Sequence, residues 1–264
     1  MSDKRYAVLF RPEARPDMAL VAAMIAAIRS IPRFDAVRTL ADCAGIVCRD
    51  LGEEDARVLA AGLTAKGMPA ISIAEERLVP LPPATIIGEA RLEEMSLLVR
   101  PLGATEDTLF EDIPWRRVRF LVGARVHSTE IVTRISVKQE LVRRGTTREG
   151  GVGVQFRPQQ EQMEQSTWAY ILDILVNAPW RRYRIIADRF FYRSTGLPRQ
   201  AASFANFALL VRAIVEHAAS AVVDRSVRLI LDGDPLTRLE ARSPQQYENY
   251  LLWRLQFLGE AEDA

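Results

Sequence analysis

The sequence predicts an α+β protein: a small α/β sandwich followed by a β-rich domain with C-terminal helices. Three observations carry that expectation. The first eighty residues alternate strand-like and helix-like segments, and VPLPPA (79–84) then interrupts the chain with prolines. Beyond it, short apolar runs dominate until two helical patterns close the sequence. Alternating elements pack as helices on a sheet, and a proline-rich stretch separates domains. The expected domains are therefore 1–78 and 85–264, joined by a linker at 79–84.

In the first domain, RYAVLF (5–10) reads as a short strand. MALVAAMIAAIRS (18–30) reads as a helix with Asp17 as its cap. FDAVRTLA (34–41) follows the break at Pro32 as a second helix, and CAGIVCR (43–49) as a buried strand. EEDARVLAAGLTAK (53–66) places acids in its first turn, a lysine in its last and Gly67 just beyond, the polarity of a capped helix. PAISIA (69–74) alternates as a third strand. A ferredoxin-like sheet is one topology this order allows, and strand order decides it.

In the second domain, Leu92 to Leu102 and Ile113 to Val126 read as strands. Within the latter, Val118, Phe120 and Val122 alternate with Arg117, Arg119 and Leu121, which gives one packed and one partly wet face. Residues 128–166, with REGGVGVQ and QFRPQQEQMEQS, lose periodicity and are expected as a long loop. WAYILDILV (168–176) resumes as an apolar strand. A helix is expected from Ser203, with Phe204, Phe207, Val211, Ile214 and Ala218 on one side. The last helix starts at Ser243-Pro244, a serine cap with proline in the first turn.

The stretch 180–193, WRRYRIIADRFFYR, admits two readings. As a helix, Tyr183, Ile186, Ala187, Phe190 and Phe191 share a face. As a strand, Tyr183, Ile185 and Ala187 share one face, with a turn near Asp188-Arg189. The strand before it needs a partner and Asn177-Ala178-Pro179 suits a turn, which favours a hairpin.

Hydrophobic residues at 48% and charged residues at 26% of 264 are ordinary for a soluble globular protein. No apolar run approaches the ~18 residues that span a bilayer. The polar start MSDKRYAVLF lacks the features of a signal peptide, so cytoplasm is the expected compartment. Cys43 and Cys48, placed on one strand, would lie roughly 17 Å apart at ~3.4 Å per residue. They are expected as buried small hydrophobes.

The net charge of +1 conceals strong blocks. Residues 83–112 hold 2 basic against 7 acidic groups, 113–199 hold 16 against 7, and 200–264 hold 6 against 9. Nearly all the basic groups of the central block are arginines, which bind phosphate or carboxylate bidentately. Arg116, Arg117, Arg119, Arg181, Arg182 and Arg184 are the candidate binding residues. Their partner is either a phosphate-rich ligand or the acidic blocks that flank them.

No motif specifies a reaction. His127 and His217 belong to no HExxH pattern, and no CxxC, GxSxG or Walker sequence is present. Asp232-Gly233-Asp234 reads as turn chemistry rather than a cation site, and Gly150-Gly151-Val152-Gly153 as a flexible loop. His217 sits where it would meet the negative pole of a helix. No catalytic residue, metal or cofactor is expected.

Ile113-Pro114-Trp115, a tryptophan entering a strand ahead of a hairpin and terminal helices, resembles a bacterial pleckstrin-homology-type domain. With its last helix YENYLLW (247–253), the chain is also similar to uncharacterised two-domain bacterial proteins. That resemblance implies binding of lipid head groups, peptides or other proteins without catalysis. The expected function is thus a non-catalytic interaction or adaptor protein, its partner another protein or a second copy. The alternatives are a binder of nucleic acid or anionic lipid through the arginines, and an enzyme of unrecognised type with a site between the domains.

Overall fold

The computed structural model describes residues 4–105, 107–143, 152–234 and 240–258, with the side chains of 128–143 and 152–165 excepted. The chain divides into two compact units, one of 1–126 with 169–264 and one of 127–168. The α+β class is observed.

The larger unit begins with β1 (Tyr6–Phe10), α1 (Met18–Arg29), α2 (Arg33–Leu40), β2 (Ile46–Leu51), α3 (Glu53–Ala65) and β3 (Ala70–Ala74). Asp17 caps α1 by accepting from the N–H groups of Ala19 and Leu20, as its position predicts. The three strands form one sheet in the order β2-β1-β3, with both neighbours antiparallel to β1. β2 and β3 are therefore parallel to each other and linked through α3, with β1 between them. This is the split βαβ unit of ferredoxin-like sheets, but with three strands among the described residues rather than four. Cys43 is not on β2: it precedes the strand, in a turn with Ala44 and Gly45 at positive φ. Both cysteines are buried and free, as expected.

The second sheet takes β4 (Ala84–Leu92), β5 (Ser96–Pro101), β6 (Glu111–Pro114), β7 (Val118–Arg143), β8 (Val152–Val176), β9 (Arg181–Ile186) and β10 (Val222–Val223). Their order is β10-β7-β8-β9-β4-β5-β6, and β11 (Glu240–Ala241) also pairs with β7. The hairpin reading of 180–193 is correct: Ile171 to Val176 face Ile186 to Arg181 in register, around a cis Ala178–Pro179 peptide. The expected single strand from Ile113 to Val126 is two strands, because Trp115–Arg117 forms a turn. There the Trp115 side chain is buried and its indole N–H donates to the Glu93 carbonyl. The loop expected at 128–166 falls largely within the bounds of β7 and β8, while 144–151 lie outside the described residues. In VTRISVKQELV (132–142) only Ile135, Val137 and Leu141 keep a two-residue phase, and Thr133 and Gln139 interrupt it, so the strand signal is weak.

Three helices complete the unit: α4 (Ser203–His217), α5 (Arg225–Leu231) and α6 (Pro244–Gln256). Phe207, Leu210, Val211 and Ile214 of α4, with Val227 and Ile230 of α5, pack on one face of the second sheet. Tyr247, Leu251 and Leu255 of α6 pack on the other, against Phe120, Val122 and Leu175. Trp253 and Phe257 cover Ala7 and Leu9 of the first sheet, whose opposite face carries α1, α2 and α3. The layers are thus helices, sheet, α6, sheet, helices. From Tyr247 onward no residue of α6 is exposed, although Glu248, Asn249 and Arg254 are among them, so the helix is enclosed on several sides with these polar groups hydrogen-bonded.

Ser243 caps α6 by accepting from the Gln246 N–H, with Pro244 at the first helical position. Trp253 donates to the Phe10 carbonyl at 2.6 Å, and its ring occupies the space that a Gly45 Cβ would need. The expected linker is held as well: Gln256 accepts from the Val79 N–H and donates to the Val79 carbonyl. Among the described residues no helix is long and apolar enough to cross a membrane.

Gly45 has a φ of 101° and no room for a methyl group. Gly45→Ala is therefore expected to lower unfolding free energy by roughly 2–4 kcal/mol, through overpacking and an unfavourable backbone. Urea midpoints of the two proteins measure the loss.

Candidate functional site

β9 alternates strictly. Tyr183 and Ile185 enter the core beneath α4 and α5, which turns Arg182 and Arg184 toward α6. On the neighbouring β8 the same face presents Asp173, between Ile171 and Leu175, fully buried. Arg184 grips Asp173 with Nε at 3.0 Å from Oδ1 and Nη2 at 2.8 Å from Oδ2. The same Nη2 donates to Glu248 of α6 at 2.8 Å, and Arg182 donates to the other Glu248 oxygen at 2.6 Å. Two arginines and two carboxylates thus close a cluster between the sheet and the buried helix. The Tyr247 ring stands 5.2 Å from the Arg184 guanidinium.

The electrostatics follow from this placement. Burial opposes charge on Glu248, but hydrogen bonds and attraction from Arg182 and Arg184 win and hold its pKa below the ordinary value. Burial works against Arg184 as well, yet Asp173 keeps it protonated. Burial first, and then the Asp173 charge, push the Tyr247 phenol far up and keep it neutral.

The other predicted arginines do not join this cluster. Arg181 is exposed and pairs with Glu111, which also accepts from the Tyr183 hydroxyl at 2.7 Å. Arg117 donates to the carbonyls of Asn177 and Ala178, bracing the hairpin turn. Arg119 is half-buried on β7, and Arg116 is exposed beside Trp115 and His217 along a surface cavity of about 390 Å³. The six residues do not form one exposed arginine face. Arg182, with 5% of its side chain exposed, lies in the interior. Two acids from the flanking negative blocks, Glu111 and Glu248, meet the arginines as the internal-pairing alternative expected.

Sequence reasoning missed Asp173. The signal was present, since one aspartate inside the apolar run WAYILDILV requires a buried cation or a network of donors.

A second buried carboxylate, Asp224, begins α5. It accepts from the Ser226 N–H and hydroxyl, from the Tyr250 hydroxyl and from Arg254 Nε at 3.0 Å. Ser226 also accepts from the Gly123 N–H. A serine on an aspartate evokes nucleophilic catalysis, but no imidazole stands beside it to take its proton. Ser226 is buried and both its hydrogen-bonding roles are filled. The adjoining cavity, about 190 Å³ beside Gly123, Tyr247 and Tyr250, is lined mostly by apolar surface. Asp224 is a helix cap that also anchors α6.

The remaining candidates are structural. Gly233 at positive φ and Asp234 return their N–H groups to Ile230 and Leu229, so Asp232-Gly233-Asp234 closes α5 as a helix stop. His217 Nδ1 donates to the Ala213 carbonyl at the end of α4, and its ring lies 5.0 Å from Trp115. Within the smaller unit, His127 shares a hydrogen bond with Ser166. Gly150 and Gly151 lie outside the described residues. Among the described residues no three His, Cys, Asp or Glu converge in a way that would hold a metal.

What the larger unit leaves open is a sheet edge. β6 is four residues long, with Glu111, Asp112 and Pro114 in it, and β10 and β11 have two residues each. β2 is broken by bulges, carries Asp50 at a φ of 59°, and has Arg29 and Glu75 on the backbone of Arg49 and Asp50. Those are devices that stop unwanted strand pairing. β3 is less protected: AISIA is uncharged, contains no proline, and keeps regular register with β1, with a side chain on its outward backbone only at Ala70. Bonds at Arg11–Pro69 and Glu75–Arg5 set the phase of that ladder. The N–H and C=O groups of Ala70, Ser72 and Ala74 therefore point away from β1. Thr64 Oγ1 meets those of Ala70. Ser72 is exposed, and its backbone groups and those of Ala74 face outward.

Two outcomes test the arginine cluster. Arg184→Gln leaves Asp173 buried without its cation and is expected to cost about 3–5 kcal/mol, whereas Arg116→Gln leaves the denaturation midpoint unchanged. A depressed carboxylate pKa stabilises above its unfolded value and loses that contribution as pH falls. The stability gap between wild type and Glu248→Gln is therefore expected to shrink as pH falls below about 4.3, as followed by chemical denaturation at each pH.

No family model, no curated protein and no solved structure matches the chain.

Proposed function

We propose that the chain is a non-catalytic interaction protein that takes up an extended strand along β3. One observation carries the reading: among the described residues of the larger unit, β3 is the uncharged, unbroken edge, whereas the other edges are shortened, bulged or charged. An added strand gains main-chain hydrogen bonds there, and pockets for alternate side chains supply selectivity. The buried polar groups of the cluster and of the α5 cap are committed to packing. Asp173, Glu248, Arg182 and Arg184 pair with one another, and Asp224 is occupied by Ser226, Tyr250 and Arg254.

A site between the two sheets has less support, because α6 fills that space. The cavity at its margin, about 380 Å³, is lined by Arg49, Glu75 and Glu248, each already in an ion pair. Recognition of phosphate-rich ligands by the arginines is also less well supported, since only Arg116 and Arg181 of the six are exposed, and Arg181 pairs with Glu111 while Arg116 shares its cavity with Glu94 and Asp112.

Ser72→Pro tests the reading, because β1 does not use the Ser72 N–H. Partner chains retained at low salt by the immobilised wild type are expected to be lost by the variant. Its melting temperature should stay within about 4 °C of wild type, the shift of a change near 1 kcal/mol. Identical retention by both proteins overturns the reading. So does turnover in a broad substrate panel that a single polar substitution abolishes.

A further inference from the structure

Ala70-Ile71-Ser72-Ile73-Ala74 reads the same in both directions. An antiparallel neighbour of identical sequence, placed by a two-fold axis at Ser72, sets Ala70 against Ala74, Ile71 against Ile73, and Ser72 against Ser72. A two-fold interface uses the same patch on both partners, so the patch must complement itself. A palindromic, uncharged strand meets that requirement at every pair.

We infer that β3 pairs with β3 of a second copy, joining two three-stranded sheets into one of six strands. This rests on the strand-addition reading above and names its partner.

The hydrogen-bonding phase agrees. Ser72 points its N–H and C=O outward, so the central pair exchanges two reciprocal bonds across the axis. The Ala74 N–H then meets the Ala70 carbonyl of the other copy, which retains a lone pair beside Thr64 Oγ1. The axis keeps the faces in order. Ile71 and Ile73 fall on the side where Ala7, Leu9 and Phe257 already form an apolar cluster. Ala70, Ser72 and Ala74 fall on the side of α1 to α3. No like charges oppose one another within the five pairs, so no pair is repulsive.

The same geometry limits the assembly. An open sheet with two free edges propagates into a filament, whereas here β2 closes the far edge with bulges, Arg49 and Asp50. Within this sheet each copy therefore offers one edge, and pairing through it stops at two.

The experiment compares the full chain with three variants. Sedimentation equilibrium over a concentration series is expected to give twice the chain mass for wild type. It should give the chain mass for Ser72→Pro and for Ser72→Lys, the lysine variant serving if proline disturbs folding. Opposed residues of this kind stand about 5.5 Å apart at Cα, within reach of a disulfide. Ser72→Cys under mild oxidation is therefore expected to give covalent dimer at many times the wild-type level, with the buried Cys43 and Cys48 as background. A dimer unaffected by both edge variants overturns the inference. A monomeric wild type overturns it too, and two cases then separate: a partner retained by wild type but not by Ser72→Pro leaves strand addition standing, and no difference in retention removes both.

Discussion

Everything in the larger unit is organised around the burial of α6 between two sheets. A helix in that position must satisfy two unlike surfaces at once. Toward the second sheet it sends Tyr247, Leu251 and Leu255, with Glu248 reaching Arg182 and Arg184. Toward the first it sends Trp253 and Phe257, and the indole finds the Phe10 carbonyl. Apolar contact alone tolerates sliding along or turning about the helix axis. The buried polar bonds do not, since displacement would part Glu248 from Arg182 and Arg184, and Asp224 from Tyr250 and Arg254, in a dry interior. The apolar surfaces supply most of the attraction, and the ion cluster and the Asp224 cap set the register.

The arginine-rich hairpin changes meaning in this setting. Its alternation divides the strand between Tyr183 and Ile185, which face one core, and Arg182 and Arg184, which face the other. Arginine's planar fork serves there as a connector between two carboxylates from different elements. The excess positive charge of the central segment is partly drawn in toward acids supplied by the segments on either side.

Much of the fold was legible because it is written locally. Asp17, Pro32, Gly67 and Ser243-Pro244 mark ends of elements through their own backbone chemistry, and the alternation of Tyr183, Ile185 and Ala187 identifies the hairpin strand. The failures have equally physical causes. Trp115 begins a turn because its indole finds a distant carbonyl, which no window of sequence reveals. α5 is too short to show a helical period. The partners of Arg182 and Arg184 on α6 lie more than sixty positions away, and periodicity is silent on pairing at that range. The β3 edge escaped for a similar reason: the palindrome is plain in the sequence, but only strand order reveals that it has an open side.

The clasp between Gln256 and Val79, together with the seat of Trp253 on Gly45, bears on how the molecule is made. Residues 4–78 contain strands, helices and an apolar cluster of their own, as a domain that folds early would. Yet Ala7 and Leu9 stay uncovered until a helix some 240 residues later leaves the ribosome. During synthesis the nascent chain carries a half-dressed sheet through the translation of the whole second sheet and of α4 and α5, and its other layer arrives only with α6, as a keystone set from far along the chain.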